Sequence, residues 1–119
     1  MTNPVVTKNG SKYWYDELGQ RHRADGPAVI TDEYESWYFN GELHREDGPA
    51  IIWKDGEQHW YINGELHRMG GPAIESPNGR VLWAWQDKGY YTVEKYCEVA
   101  NIVGKAKTFL LLKYSGVTA

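Results

Sequence analysis

Apolar and polar residues along this chain follow a pattern that returns every 23 residues. The segment from Trp37 to Ala50, W-Y-F-N-G-E-L-H-R-E-D-G-P-A, recurs with few changes from Trp60 to Ala73. A looser copy runs from Trp14 to Ala28, and a fourth copy begins at Trp83 and loses the pattern after Gly89. A fixed period of this length is typical of a repeat architecture made of stacked hairpins or helix pairs.

Turn signals within each repeat predict that the stacked units are antiparallel β-hairpins. Asn-Gly and Asp-Gly pairs favour hairpin turns, in which one or both turn residues need a positive φ. The Asp-Gly-Pro segments at 25–27 and 47–49 mark further chain reversals, because proline fixes φ and cannot donate to a ladder. The chain is therefore predicted to be mainly β, an antiparallel meander of hairpin repeats over 5–90. The hairpin turns lie at Asn9-Gly10, Asn40-Gly41, Asp55-Gly56, Asn63-Gly64 and Asn78-Gly79.

Turn lengths fix the expected strand register. A two-residue turn at 40–41 places Trp37 opposite His44, and the same turn at 63–64 places Trp60 opposite His67. The first repeat has one extra residue, which a three-residue loop, Glu17-Leu18-Gly19, absorbs, so that Trp14 still faces His22. The Trp–His pairing is therefore expected to be structural.

Two-residue turns are also expected at the remaining Gly turns. At 55–56 such a turn pairs Ile52 with His59 and Ile51 with Trp60, and at 9–10 it follows directly on a strand over 5–8. One sheet face is then expected to form the core, with Trp14, Trp37 and Trp60 mostly buried on it. From residue 51 to residue 67 this face carries Ile51, Trp53, Trp60, Ile62 and His67.

The pattern changes after residue 91, and the C-terminal segment is predicted to be a helical cap over 91–116. Thr92 is a suitable N-cap, and Gly104 is a suitable helix end. The segment 105–114 favours a second helix, although its F-L-L-L run also suits a strand. Such a cap would cover the open end of the repeat sheet. The first helix has its apolar residues on one stripe: Val93, Tyr96, Cys97, Ala100 and Val103.

Composition narrows the class of protein. The 119 residues fit a single domain, 1–119, and the net charge of −3 makes general nucleic-acid binding unexpected. One cysteine, Cys97, excludes an internal disulfide and fits a reducing compartment. Neither a signal segment nor an apolar run long enough to cross a membrane stands out. A cytoplasmic protein without membrane association is therefore expected.

The candidate chemistry is the H-R-x-D motif that follows each Asn-Gly or Gly turn. As a binding site, its imidazole, guanidinium and carboxylate groups would suit an anionic small molecule or a nucleotide. As a structural motif, the histidine would pack on the facing tryptophan, and the aspartate would cap the Gly-Pro turn. The arginine would then pair with an acid of the neighbouring repeat. A motif that repeats with the structural period favours the second interpretation. The residues concerned are His22, His44, His67, Arg23, Arg45, Arg68, Asp25 and Asp47.

These residues do not predict an enzyme, a metal site or a cofactor. Two histidines one repeat apart are too far apart on a sheet to share one zinc ion. Cys97 lies on the apolar stripe without an evident base, so it is expected in the core. Phosphate loops, nucleophile elbows and paired catalytic carboxylates are not evident.

The repeat from Trp37 to His59 resembles a MORN-type unit, in which an aromatic strand, an N-G turn and a D-G turn recur over 23 residues. It is more similar to W-Y-x-N-G-x-x-H-R-x-D-G-P-A repeat proteins of tailed phages and bacteria. This resemblance implies a non-enzymatic protein-binding function, such as a phage-encoded inhibitor of a host defence protein in the host cytoplasm. Nucleotide or small-ligand sequestration is the alternative. Arg45 is expected to point away from Trp37 and to contact the partner.

Overall fold

The computed structural model describes residues 3–90 and 92–114 as an antiparallel β-structure followed by two helices. The predicted order of a β-meander and a helical C-terminal segment is confirmed. The strands are β1 (Val5–Val6), β2 (Lys12–Tyr13), β3 (Val29–Ile30), β4 (Tyr34–Ser36), β5 (Tyr38–Phe39), β6 (Glu42–Leu43), β7 (Ile51–Trp53), β8 (Gln58–His59), β9 (Tyr61–Ile62), β10 (Glu65–Leu66), β11 (Ile74–Glu75), β12 (Val81–Trp85) and β13 (Lys88–Tyr90). The helices are α1 (Val93–Val99) and α2 (Gly104–Tyr114).

Nine strands form one long sheet in the order β1-β2-β3-β4-β7-β8-β11-β12-β13, with every neighbouring pair antiparallel. Each repeat adds two strands to this sheet. Among the described residues the principal extents are 53 × 28 × 20 Å and the Cα radius of gyration is 16.5 Å. A compact domain of this length would have a radius of gyration of about 13.5 Å, so stacking of repeats makes the molecule elongated.

The long sheet is accompanied by side hairpins that branch off at each leading tryptophan. Strands β5 and β6 form one side hairpin, β9 and β10 form the next, and a Tyr15–Arg21 bridge marks the first. Backbone hydrogen bonds connect each side hairpin to the following one, for example from Arg45 N to Tyr61 O at 3.1 Å. Neighbouring repeats are therefore hydrogen-bonded to one another both in the long sheet and between the side hairpins.

An alanine lies at each junction between the long sheet and a side hairpin. Its carbonyl accepts a bond from the tryptophan N–H of the same repeat, as between Trp37 N and Ala50 O at 2.7 Å. Ala28, Ala50 and Ala73 have no exposed surface. A larger side chain would have no room in this close-packed position, which explains the alanine that ends each G-P-A segment.

The side-hairpin registers are confirmed. Tyr38 faces Leu43 and Phe39 faces Glu42, and the N–H of His44 bonds to the carbonyl of Trp37. Asn40 and Gly41 both have positive φ, 51° and 85°, as a two-residue hairpin turn of this type requires. The three-residue loop at Glu17-Leu18-Gly19 is also confirmed, with Gly19 at a φ of 79°.

The expected registers at the other Gly turns are wrong by one residue. Ile51 pairs with His59 and Ile52 with Gln58, and Gly56 N bonds to Trp53 O, so this turn has three residues. The cause is the Asp55 carboxylate, which accepts a bond from the N–H of Glu57 at 2.9 Å and stabilises a different turn. Asn9 and Asn78 make the corresponding bonds in the turns of their hairpins.

This shift changes the expected core face. Opposed residues of antiparallel strands lie on the same face, so Ile51 now shares a face with His59. The ring of Trp53 lies on the same side, 4.4 Å from the ring of His59. The predicted face therefore combined residues that the true register separates.

The helices form a cap over the last repeat. Trp83, Val93, Tyr96, Cys97 and Leu110 make one buried cluster, and Trp83 is only 2% exposed. Thr92 is confirmed as the N-cap of α1, since its side chain accepts a bond from Lys95 N. The segment 105–114 is helical, as predicted. Of the predicted cap, residues 91, 115 and 116 lie outside the described residues.

Two expected features of the cap are wrong. Gly104 begins α2 instead of ending α1, and the left-handed residue after α1 is Asn101, with a φ of 56°. Val103 is 69% exposed, because it lies in the connection between the helices and not on the helical stripe. The apolar stripe of α1 therefore ends at Ala100.

Candidate functional site

Each arginine of the H-R-x-D motif lies over the ring of the tryptophan of its own repeat. In the second repeat, the guanidinium carbon of Arg45 is 4.0 Å from the ring centroid of Trp37. Arg45 Nε donates to Asp47 at 3.0 Å, and Nη1 donates to the carbonyl oxygen of Pro49 at 3.1 Å. The guanidinium therefore binds the aromatic face, the carboxylate and the turn backbone at the same time.

The same arrangement recurs in the first and third repeats. Arg23 lies 3.9 Å from the Trp14 centroid and Arg68 lies 3.8 Å from the Trp60 centroid. Both donate to the carbonyl oxygen of the proline four residues later, at 3.1 and 3.0 Å. In the third repeat Gly70 replaces the aspartate, and Arg68 instead donates to Glu75 at 3.1 Å.

The glycine of each G-P-A segment covers the other side of the guanidinium. A Cβ on Gly48 would lie 2.9 Å from the Arg45 Cζ, and one on Gly71 would lie 2.6 Å from the Arg68 Cζ. These distances are shorter than a carbon–carbon contact permits. A side chain here would force the guanidinium to move from its place over the tryptophan, so the preference for glycine comes from the arginine and not from a positive φ.

The histidines connect neighbouring repeats. His44 Nδ1 accepts a hydrogen bond from the N–H of Asn63, in the turn of the next side hairpin, at 2.9 Å. His22 bonds to Asn40 N at 3.0 Å and His67 to Gln86 N at 3.1 Å in the same manner. An accepting Nδ1 places the proton of a neutral ring on Nε2. In His44 that nitrogen contacts Glu46 at 3.2 Å.

These contacts correct several expectations about the motif. Arg45 does not point away from Trp37, because the chain leaves the strand after His44 and the loop folds back over the tryptophan. Asp25 and Asp47 bind the arginine of their own loop, so they do not cap the Gly-Pro turn. The histidine rings contact the next repeat instead of the facing tryptophan, as in His22 and Phe39 at 4.5 Å. Whether these eight residues bind a ligand stays a prediction.

Tyr96 of α1 takes the place of an arginine at the fourth tryptophan. Its ring lies 4.7 Å from that of Trp83, its hydroxyl donates to Arg68 O at 2.5 Å, and it accepts from Gly70 N at 2.9 Å. Burial raises the pKa of this hydroxyl, and the bond from Gly70 partly offsets the rise. The missing aspartate of the third repeat is thereby explained, since Gly70 contacts the cap.

Two open clefts lie between successive motif loops and form the candidate site. The first has a volume of about 630 Å³ and lies between loop 23–26 and loop 45–47, with Trp37 and Phe39 in its lining. The second, about 680 Å³, lies between loop 45–49 and residues 68–69, with Trp60 in its lining. Trp37 and Trp60 are half-buried, whereas Trp14 and Trp83 are buried, so each mid-chain tryptophan keeps some accessible surface in the lining of a cleft.

The clefts carry exposed carboxylates beside two motif arginines each. Asp47 was selected by sequence reasoning, whereas Glu46, Phe39 and Met69 were not. The side chains of Glu46 and Asp47 are 81% and 87% exposed, and both line both clefts. Phe39 and Met69 are 47% and 67% exposed and line one cleft each. The sequence signal that could have identified them is their position between the turns that recur in every repeat, where the repeats differ most from one another.

Other chemistry is limited in the part of the chain that the structure describes. No group of three histidine, cysteine, aspartate or glutamate side chains within residues 3–90 and 92–114 could hold a metal ion. Cys97 is buried, as predicted, and burial raises the pKa of its thiol. Neither of the two described helices is long and apolar enough to cross a membrane.

Comparison with protein-family models, with curated proteins and with solved structures finds no match for this chain.

Proposed function

We propose that this protein is a non-enzymatic interaction protein that binds another protein through the cleft row, the surface formed by the two clefts and loop 45–49 between them. The observation that carries the proposal is the commitment of the motif side chains to the fold. The arginines stack on tryptophans, and the histidines bond to neighbouring turns. The accessible groups are instead the exposed ring of Phe39 and the exposed carboxylates of loop 45–49, on an elongated support.

This arrangement suits recognition of an extended surface. Aromatic residues in a partly desolvated depression are typical centres of protein interfaces, and exposed charges around them set specificity. The resemblance to phage and bacterial repeat proteins supports a specific form of the proposal, an inhibitor that binds a host defence protein. Nucleotide sequestration is less favoured, because the motif guanidiniums already donate to carboxylates and carbonyls.

Affinity purification from a bacterial lysate tests this proposal. The immobilised protein is expected to retain a stoichiometric protein, and Glu46→Lys, which reverses a charge shared by both clefts, is expected to lose it. Glu17→Lys is the matched control, since Glu17 is exposed in the first hairpin loop outside both clefts. Retention of no protein, or equal retention by both variants, would contradict binding through the cleft row.

A thermal-shift screen of nucleotides tests the alternative. Ligand at 100-fold excess over its Kd stabilises a protein by about 2.7 kcal/mol, which gives a clear shift in Tm. No shift is expected here.

A further inference from the structure

The two clefts are equivalent sites at a defined separation. Each repeat contributes two strands to the long sheet, so successive clefts are two strand spacings apart, or about 9.6 Å. Loop 45–49 forms a ridge between them and carries Glu46 and Asp47. A ligand that fills both clefts must therefore cross this ridge and place one side chain on each side.

This separation selects among peptide conformations. A polyproline II helix has three residues per turn and a rise of about 3.1 Å, so every third side chain returns to the same face after about 9.3 Å. Same-face side chains of a β-strand recur every ~6.6 Å. An α-helix needs seven residues and about 10.5 Å to return to the same line, and its diameter of ~10 Å is large for an open cleft. Polyproline II fits the cleft spacing best.

Charge identifies the side chains that such a peptide would insert. The carboxylates of Glu46 and Asp47 are highly exposed, although each also contacts a residue of its own repeat, His44 or Arg45. A carboxylate can accept from more than one donor, and a guanidinium binds it in a bidentate manner. The exposed ring of Phe39 provides a face on which a guanidinium stacks in the first cleft, whereas the faces of Trp37 and Trp60 are already occupied by Arg45 and Arg68. Arginine is therefore the best-suited side chain.

We propose that the cleft row binds a proline-rich segment of the partner in the polyproline II conformation, with arginines at positions i and i+3 in the two clefts. This inference rests on the proposed function and names the class of partner segment. Proline-rich ligands typically occupy aromatic-lined grooves, because their low conformational entropy reduces the cost of binding.

Two synthetic peptides of equal composition test the spacing, and a third peptide tests the need for proline. The first is a capped proline octamer with two arginines at i and i+3, and its isomer has them at i and i+2. A third peptide keeps the i, i+3 spacing and replaces the prolines by glycine. We expect the first peptide to bind at least about tenfold more tightly than either of the others, a difference of ~1.4 kcal/mol. The measurement is quenching of tryptophan fluorescence at physiological salt.

Charge reversal on the ridge tests the location. Glu46→Lys is expected to weaken the first peptide at least about tenfold, and Glu17→Lys less than about threefold, since exposed charges beyond ~8 Å are screened. Circular dichroism is the control that both variants are folded. Equal binding of the two isomers, or of the glycine peptide, would overturn the polyproline inference.

Failure of this inference can be separated from failure of the proposed function. Retention of a stoichiometric lysate protein that Glu46→Lys abolishes, together with peptides that do not bind, would overturn the polyproline class and leave the cleft row as the interface. Loss of both results would overturn both proposals.

Discussion

At the residue scale, each letter of the H-R-x-D-G-P-A motif has a separate physical task. The arginine covers the tryptophan, the aspartate and the proline carbonyl accept hydrogen bonds from it, and the glycine leaves room for its planar group. The alanine fits the junction with the long sheet. Because these residues contact one another, a single substitution in the motif is expected to disturb the packing of its partner side chains.

Gly48→Ala tests the dependence of glycine on arginine. The new Cβ would lie 2.9 Å from the Arg45 Cζ, and we expect a loss of about 1–3 kcal/mol in the free energy of unfolding. The corresponding Gly71→Ala, at 2.6 Å, should cost more, and Gly26→Ala, at 3.0 Å, should cost no more than Gly48→Ala. Urea unfolding measures all three.

A double-mutant cycle separates the steric cause from a backbone effect. In an Arg45→Ala background the guanidinium is absent, so Gly48→Ala should cost less than about 0.5 kcal/mol beyond the first substitution. An undiminished cost in that background would show that the backbone, and not the arginine, requires glycine.

At the element scale, the side hairpins are held together by backbone bonds and by the histidine bonds that follow them. His44 Nδ1 receives the N–H of Asn63, at a turn whose two residues both have positive φ. Without the histidine, this turn N–H would have to bond to water or stay without a hydrogen bond. The histidine therefore fixes the position of the next turn relative to its own repeat.

His44→Ala is expected to cost about 1–2 kcal/mol, because it removes a hydrogen bond and a half-buried ring. Hydrogen exchange should show faster exchange of the Asn63 amide, while the Asn40 amide, bound by His22, keeps its protection. Equal change at both amides would point to global destabilisation instead of loss of one bond.

The attachment of the helical cap can be tested through the pH dependence of the free energy of unfolding. Burial raises the pKa of Tyr96 above its ordinary value of 10.0. Above pH 10 the unfolded chain loses this proton while the folded protein keeps it, so the folded state binds more protons and stability falls as pH rises. Below pH 10 the contribution is constant.

Tyr96→Phe should therefore lower stability at neutral pH, through loss of the bonds to Arg68 and Gly70, and also flatten the decline above pH 10. Burial also raises the pKa of Tyr61, so part of the decline should persist. Urea midpoints between pH 7 and 11 measure both effects. An identical alkaline slope in the variant would exclude Tyr96 as its source.

At the scale of the whole molecule, the sequence predicted the positions of turns better than their types. The period, the order of β-structure before helices and the side-hairpin registers follow from local signals such as Asn40-Gly41. The turn at Asp55-Gly56 could not be assigned in the same way, because its length depends on which acceptor the Glu57 N–H finds. The direction of Arg45 also depends on how a loop folds back, which strand periodicity does not describe.

The clefts were not predictable for a related reason. They arise between loops that are 22 or 23 residues apart in the chain, so their lining combines positions that look unrelated in the sequence. Glu46 and Met69 occupy the same place in their repeats, yet their residue types differ, and only the stacking of loops brings them to neighbouring rims.

Stacking of repeats also predicts how far a local defect travels. Each repeat contacts mainly its neighbours, so stability should behave as a sum of repeat and interface contributions. Trp83, buried between the last repeat and the cap, is the most informative position, because its ring contacts both Tyr96 and Tyr114. Trp83→Ala is expected to cost about 3–5 kcal/mol locally, as for other large core aromatics.

Hydrogen exchange of Trp83→Ala gives the spatial extent of that loss. Amides of α1 and β13 should lose protection, while the amides of Trp14 and Asp16, bonded to Ala28 and Gln20 in the first repeat, should keep most of theirs. Trp14→Ala is the mirror-image control and should expose the first repeat while the cap stays protected. If either substitution removes protection uniformly along the chain, the molecule unfolds as one cooperative unit and the repeats are not independent, because coupling between neighbours then exceeds the cost of the defect.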